Sequence, residues 1–190
     1  MKLSELARGE QLALLINAYN GSTIKLILDH YPGVQSIRDL NDPWKTVAYV
    51  IGGHKLSLDQ LEHEILRPVF KDARVHAAVN CASVGCGPLR AGAFTGGAID
   101  AELDLQFKAW LADRRCARVE GEKLLVSHVL EWFKDDFVTD GHVKAQKTVA
   151  AFLAPYATGE VKAFLDAHGT DVPLAYIDYD WSLNDAARAK

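Results

Sequence analysis

RVHAAVNCASVGCGPLR, residues 74–90, opens as an alternating segment and ends in a loop rich in glycine and proline. Its first part, Arg74 to Asn80, is predicted as a strand, with Val75, Ala77 and Val79 on one face and His76, Ala78 and Asn80 on the other. The loop that follows carries Cys81 and Cys86. Cys86 lies between Gly85 and Gly87-Pro88, where a side chain is uncrowded and nearby backbone N–H groups are expected to be free to hold an oxyanion. A strand entering such a loop, with helical patterns on either side of it in the chain, gives an α+β class.

Upstream, Gln11 to Asp29 has apolar residues at helical spacing: Leu12, Leu15, Ile16, Tyr19, Leu26 and Ile27 form one broad face. The arc is wide enough for a central, largely buried helix, stopped by His30-Tyr31-Pro32-Gly33. Asn17 and Asn20 sit at the edge of that arc, where an unpartnered amide costs about 1–3 kcal/mol, so each should bond something specific. Thr46 to Ile51, the Gly52-Gly53 turn and His54 to Leu56 form a predicted hairpin. Ser57 and Gln60 carry the capping-box pattern of a second helix, whose core face is Leu58, Leu61, Ile65, Leu66 and Val69. Glu62 falls inside that arc and needs a partner.

Downstream, helices are predicted over Ile99 to Asp113, from Ser127 through Phe133, over Lys144 to Tyr156 and over Glu160 to His168. Glu122 to Val126 and the alternating Pro173 to Ser182 are predicted strands. The expected architecture is one domain spanning residues 1–190, with its central helix packed on a small, mostly antiparallel sheet.

Composition excludes several roles. The 21 basic residues are interspersed with 25 acidic ones, for a net charge of -4, so there is no basic stripe for a phosphate backbone and no nucleic-acid partner is expected. No apolar run approaches the roughly 20 residues needed to cross a bilayer, so membrane insertion is not expected either. The chain's 3 cysteines are too few for a disulfide scaffold, and their odd number leaves one thiol free. Cys116, in a charged segment, is expected to be incidental. Cys81 and Cys86 could be a small disulfide loop, a thiol site or half a metal site.

Nucleophilic thiol chemistry needs an accessible cysteine, a base within reach and a group that orients the base. Cys86 is the candidate nucleophile, His76 the base and acid, and Glu62 the orienting carboxylate. Plainer roles stand beside these: a structural His76, a Glu62 that pairs with Arg67 or Arg74, fold-locking asparagines, and Cys81 as a small buried hydrophobe able to exchange roles with Cys86. A tetrahedral zinc set of Cys81, Cys86, His76 and His63 is a weaker competitor, because the spacing of the thiols is at the edge of the usual range. No metal or cofactor is assigned. Arg67 or Arg90 could receive a substrate carboxylate, and His63 with Arg67 could rim an anionic ligand. His63, Arg67, Cys81 and Arg90 thus extend the candidate site. The expected function is a thiol-dependent hydrolase or transferase acting on an amide, peptide or small thiol compound. The alternative is a non-catalytic module that binds a peptide or a thiol.

The chain resembles the domain-of-unknown-function family 547 of bacteria and plants. The similarity rests on LALLINAYN (Leu12–Asn20), LSLDQLEHEILR (Leu56–Arg67), RVHAAVNCASVGCGPLR (Arg74–Arg90), SHVLEWFKDDF (Ser127–Phe137) and DYDWSLN (Asp178–Asn184), blocks that run through nearly the whole chain. It implies a papain-like or transglutaminase-like architecture with a thiol, a histidine and an acid grouped together, and it singles out Asn17, Asn20, Glu62, His63, Arg67, His76, Asn80, Cys81 and Cys86, of which Asn17, Asn20 and Asn80 join the candidate substrate-binding residues on this ground. Two departures stand out. Gly87 intervenes before Pro88, where the family usually has proline directly after the second cysteine, so a less restrained loop is expected. The chain also begins almost inside the first motif, whereas bacterial relatives commonly carry an export signal and further N-terminal residues, which suggests a trimmed chain or a shortened gene start. Periplasmic residence is implied by the resemblance, with cytoplasmic residence the alternative, and an oxidising compartment would favour a disulfide between Cys81 and Cys86.

Overall fold

Asn20 and Asn80 join the first helix to the thiol-bearing segment: the Asn20 amide donates to the Ala78 carbonyl at 2.8 Å and accepts from the Asn80 N–H at 2.8 Å. The computed structural model describes residues 3–46, 48–51 and 53–187. Helix α1, Arg8–Leu28, buries Leu12, Leu15, Ile16, Tyr19, Leu26 and Ile27, as its apolar arc requires. It packs on a second helix, on helix α3 (Ile99–Ala112) and on strand β1 (Ala48–Ile51). Each fully buried aliphatic side chain in this contact contributes about 1.5–3 kcal/mol.

The second helix is π-wound over Gln60–Phe70. Its start follows the predicted capping box: Ser57 N–H donates to Gln60 Oε1 and Gln60 N–H to Ser57 Oγ, both at 3.1 Å. The wider π turn changes which side chains share a face. Leu58, Leu61 and Leu66 are buried as expected, but Val69 is 50% exposed and Phe70 takes the inward position. β1 pairs antiparallel with β2 (His54–Ser57), Ala48 opposite Ser57 and Ile51 opposite His54. The predicted turn between them keeps Gly53 at φ +85, while Val47 and Gly52 lie outside the described residues.

The predicted strand at residues 74–80 is instead one helical turn, α2, Val75–Ala78. Its N–H groups close locally, His76 on Ala73 and Ala77 on Arg74, and Asp72 Oδ1 accepts from the Arg74 N–H at 3.1 Å. Residues Val75 to Asn80 are all buried, so the apparent alternation does not separate an inner from an outer face.

β3 (Ala117–Glu120) pairs antiparallel with β4 (Lys123–Ser127), and β4 pairs parallel with β5 (Leu174–Ile177), making a mixed three-stranded sheet. Short helices α4 (Val129–Trp132), α5 (Lys134–Val138), α6 (Val149–Leu153) and α7 (Gly159–His168) complete this half. The class is α+β, but α1 rests mainly on helices, and the larger sheet lies with a second buried cluster. α2 and α3 serve both clusters: Val75, Ala78 and Leu103 face the first, and Ala77, Phe107, Trp110 and Leu111 face the second. The predicted helix at 144–156 contracts to α6, started by the Thr148 hydroxyl. The predicted strand at 173–182 shortens to β5 because the chain beyond it pairs with the thiol loop. Among the described residues no helix is long and apolar enough to cross a membrane.

Candidate active site

The thiol loop is tied down on both sides. Val84 N–H donates to the Ser182 carbonyl at 2.9 Å, Gly85 N–H to Asp180 at 2.8 Å, and Asn184 N–H to Ala82 at 3.0 Å. Cys86 N–H donates to the Ser83 carbonyl. The N–H groups of Gly85 and Cys86, expected to be free for an oxyanion, are therefore spent on holding the loop, as is that of Val84. Asn80 secures the other side, donating to the Gly87 carbonyl at 2.8 Å and accepting from Ala82 N–H at 2.8 Å. Ala82 takes φ +62, a left-handed conformation that costs a non-glycine residue about 1–2 kcal/mol. Gly87 is restrained rather than loose: a Cβ there would stand 2.7 Å from Trp110 Cδ1.

This frame brings the two sulfurs together. Cys81 Sγ and Cys86 Sγ are 2.7 Å apart as free thiols. Cys81 N–H donates to Cys86 Sγ at 3.1 Å, and the Tyr179 hydroxyl lies 3.2 Å from each sulfur. Hydrogen bonding from Cys81, opposed by burial and supported by Tyr179 and Ser83, pulls the Cys86 thiol down to about 6. The same bond to Cys86, together with burial, pushes the Cys81 thiol up. The pair thus loses its first proton from Cys86. Burial, then the charge of Cys86, raises the Tyr179 phenol, so it stays a hydrogen-bond donor.

His76 reaches the same cavity from α2. Its Nε2 stands 2.8 Å from Asp136 Oδ2, and its ring stacks on Phe133 with centroids 4.5 Å apart and an 11° interplanar angle. Arg67 grips the same carboxylate, Nε to Oδ2 at 2.6 Å and Nη2 to Oδ1 at 3.2 Å. Burial opposes the Asp136 charge, but the bonds from His76 and then Arg67 outweigh it and hold the carboxyl well below its usual range. With Nε2–H committed to Asp136, Nδ1 is the nitrogen left for chemistry, and it has no hydrogen-bond partner among the described residues.

The carboxylate bonded to His76 is thus Asp136 rather than the expected Glu62. Glu62 also lines the cavity, but it lies against the Tyr19 hydroxyl. Burial first, then the charge of Glu62, raises the Tyr19 phenol. The cavity holds about 270 Å³; Cys81, Cys86 and His76 face an aromatic wall that includes Trp132, Tyr179 and Trp181. Tyr179 and Trp181 lie with ring centroids 4.5 Å apart at a 51° interplanar angle, and Trp132 is 48% exposed.

Of the expected binding residues, Cys81 and His63 line this cavity. Asn17 and Asn20 lock the fold instead: Asn17 exchanges two 2.9 Å bonds with the Phe94 backbone, and Asn20 holds residues 78 and 80. Asn80 acts behind the loop. Neither arginine lines the cavity. Arg67 has its fork on Asp136 and donates to His63 Nδ1 at 3.0 Å, while Arg90 is spent on the Gly92 and Ala93 carbonyls and on Glu102. The zinc set is not gathered, since His76 is bound to Asp136 and His63 to Arg67. Among the described residues no group of three or more metal-binding side chains could hold an ion. Cys116, expected in a surface-like segment, is buried beside Trp110, and burial pushes its thiol up to about 12.

Asp136, Tyr179 and Ser83 were not among the expected site residues. Asp136 and Tyr179 lie within the blocks SHVLEWFKDDF and DYDWSLN, and that membership was the available signal.

No curated protein and no solved structure matches the chain. One family model does, over residues 3–111, a span that holds Glu62, His76, Cys81 and Cys86 and stops short of Asp136 and Tyr179. The matched span contains three of the five blocks on which the resemblance rests. A match over more than half of the sequence settles membership: the chain belongs to the family described as protein of unknown function, DUF547.

Proposed function

We propose that the chain is a thiol-dependent hydrolase or transferase of acyl groups, acting on an amide, a peptide or a small thiol compound. The observation that carries this reading is that a Cys86 thiol held near pKa 6 and an imidazole anchored by Asp136 line one cavity. The thiolate would form without help from His76, because Cys81, Tyr179 and Ser83 stabilise it. Its electron pair attacks the substrate carbonyl, and the Tyr179 hydroxyl, 3.2 Å from Cys86 Sγ, would donate to the developing oxyanion. His76, protonated through Nδ1, gives its proton to the departing amine or thiol. The neutral ring then takes a proton from water or from an acceptor thiol as that nucleophile releases Cys86.

The lining narrows the substrate. Asp42, Asp59 and Glu62 bring three carboxylates to the cavity and Lys45 a single ammonium, which favours a substrate with an apolar, flat portion and donor or cationic groups. A papain-like or transglutaminase-like ancestry is part of the proposal, supported by the grouping of thiol, imidazole and acid. Periplasmic residence belongs to it too, through the family resemblance.

A second reading, a non-catalytic module for a peptide or thiol, is favoured by the lack of a hydrogen bond between His76 and either sulfur. An active-site titration with p-nitrophenyl acetate separates the two. An enzyme gives a burst of nitrophenol stoichiometric with protein and an acetyl group on Cys86, lost in Cys86→Ser. Slow release without a burst, or acetylation spread over lysines, supports the binding module.

A further inference from the structure

We propose that Cys86 and Cys81 also form a dithiol–disulfide exchange centre for small disulfides, because their two sulfurs face each other at 2.7 Å in a frame that opens on the cavity. This activity needs neither His76 nor an acyl substrate, so it stands apart from the acyl-transfer reading.

The frame suits exchange. Bonding distance is about 2.05 Å, so closing the pair moves the sulfurs together by only about 0.7 Å. The loop need not be rebuilt, because its backbone stays tied to Asp180, Ser182 and Asn184 on one side and to Asn80 on the other. Both cysteines are partly exposed, and both line the cavity, where the aromatic wall can receive the organic part of a disulfide. Cys116 points its Sγ at the Cys86 carbonyl from 3.9 Å, but it is sealed in the second cluster and takes no part.

Each step balances. The Cys86 thiolate attacks one sulfur of a disulfide RS–SR; the S–S bond breaks, and the first RS⁻ leaves and takes a proton from solvent. Cys86 is now a mixed disulfide with R. Cys81 loses its proton to solvent, attacks Cys86 Sγ, and the Cys86–SR bond breaks to release the second RS⁻. Two protein thiols are oxidised and one RS–SR is reduced to two RSH. The geometry sets the order: Cys86 Sγ accepts the Cys81 N–H at 3.1 Å, a bond that favours the thiolate on Cys86. Cys86 attacks and Cys81 resolves.

The test uses the full reduced chain with glutathione disulfide at neutral pH, acid quenching at intervals and peptide mass spectrometry. Wild type should show a transient glutathionyl group on Cys86, then a Cys81–Cys86 linkage, with Cys116 unmodified. Cys81→Ser should accumulate one glutathionyl group on Cys86. Cys86→Ser should react at least about tenfold more slowly. A first adduct on Cys81, equal rates in Cys86→Ser, or wild type that neither links nor takes up glutathione would overturn the proposal. The wild-type time course decides the matter by itself should either variant fail to fold. A burst with p-nitrophenyl acetate in protein that never links identifies failure of exchange alone, and linkage without a burst identifies failure of acyl transfer alone.

Discussion

His76 Nε2 and Asp136 Oδ2 meet at 2.8 Å across 60 residues of sequence, and Arg67 grips both oxygens of the same carboxylate. The ring is therefore set by a fixed anion, and removing that charge should release it. Asp136→Asn is expected to lower acyl transfer by about 10²–10⁴-fold, the range of a general acid–base group. Alkylation of Cys86 should hardly change, since its thiolate is stabilised by Cys81 and Tyr179. Steady-state rates and iodoacetamide labelling of the same preparation check both halves.

The same pairing sets a pH dependence of stability. The Asp136 carboxyl is held below its ordinary range in the folded chain. Its contribution is therefore full above the unfolded-state value of about 3.9 and is lost as pH falls through that value toward the folded one. Urea midpoints measured downward from about pH 5 should fall more steeply for wild type than for Asp136→Asn.

Asn20 ties α1 to the residues just before Cys81. Asn20→Leu leaves the Ala78 carbonyl and the Asn80 N–H buried without that partner and is expected to cost about 2–3 kcal/mol in urea unfolding. The labelling profile of Cys86 should drift toward that of an ordinary thiol in the same variant. Arg90→Ala, whose partners are the loop at 92–93 and Glu102, should leave that profile in place.

Gly87 leaves room for the Trp110 ring. Gly87→Ala sets a methyl group against a fully buried indole, and the overpacking is expected to destabilise the chain by about 1–3 kcal/mol. Thermal or urea unfolding against wild type measures it.

What could be read in advance follows the range of the forces involved. The buried arc of α1, the capping box of Ser57 and Gln60 and the need of Asn17 and Asn20 for partners are local rules with few competing outcomes. The segment at 74–80 failed the period test because every residue from Val75 to Asn80 is buried, so alternation carried no information about facing. Glu62 lines the cavity, yet phase on a helix says where a side chain points and not what meets it. The partner of His76 came instead from a block 60 residues downstream. The Gly85 N–H, expected to be free beside Cys86, is spent on a C-terminal strap that only tertiary pairing supplies, while that of Cys86 closes locally on Ser83.

The thiolate of Cys86 is the centre on which both proposed activities depend, and the pH dependence of its alkylation tests it most directly. Iodoacetamide labelling of Cys86, followed by peptide mass spectrometry, should reach half its maximal rate near pH 6 in wild type and at higher pH in Cys81→Ser and Tyr179→Phe. A wild-type midpoint at or above the roughly 8.5 of a free thiol, unmoved by either substitution, would contradict it.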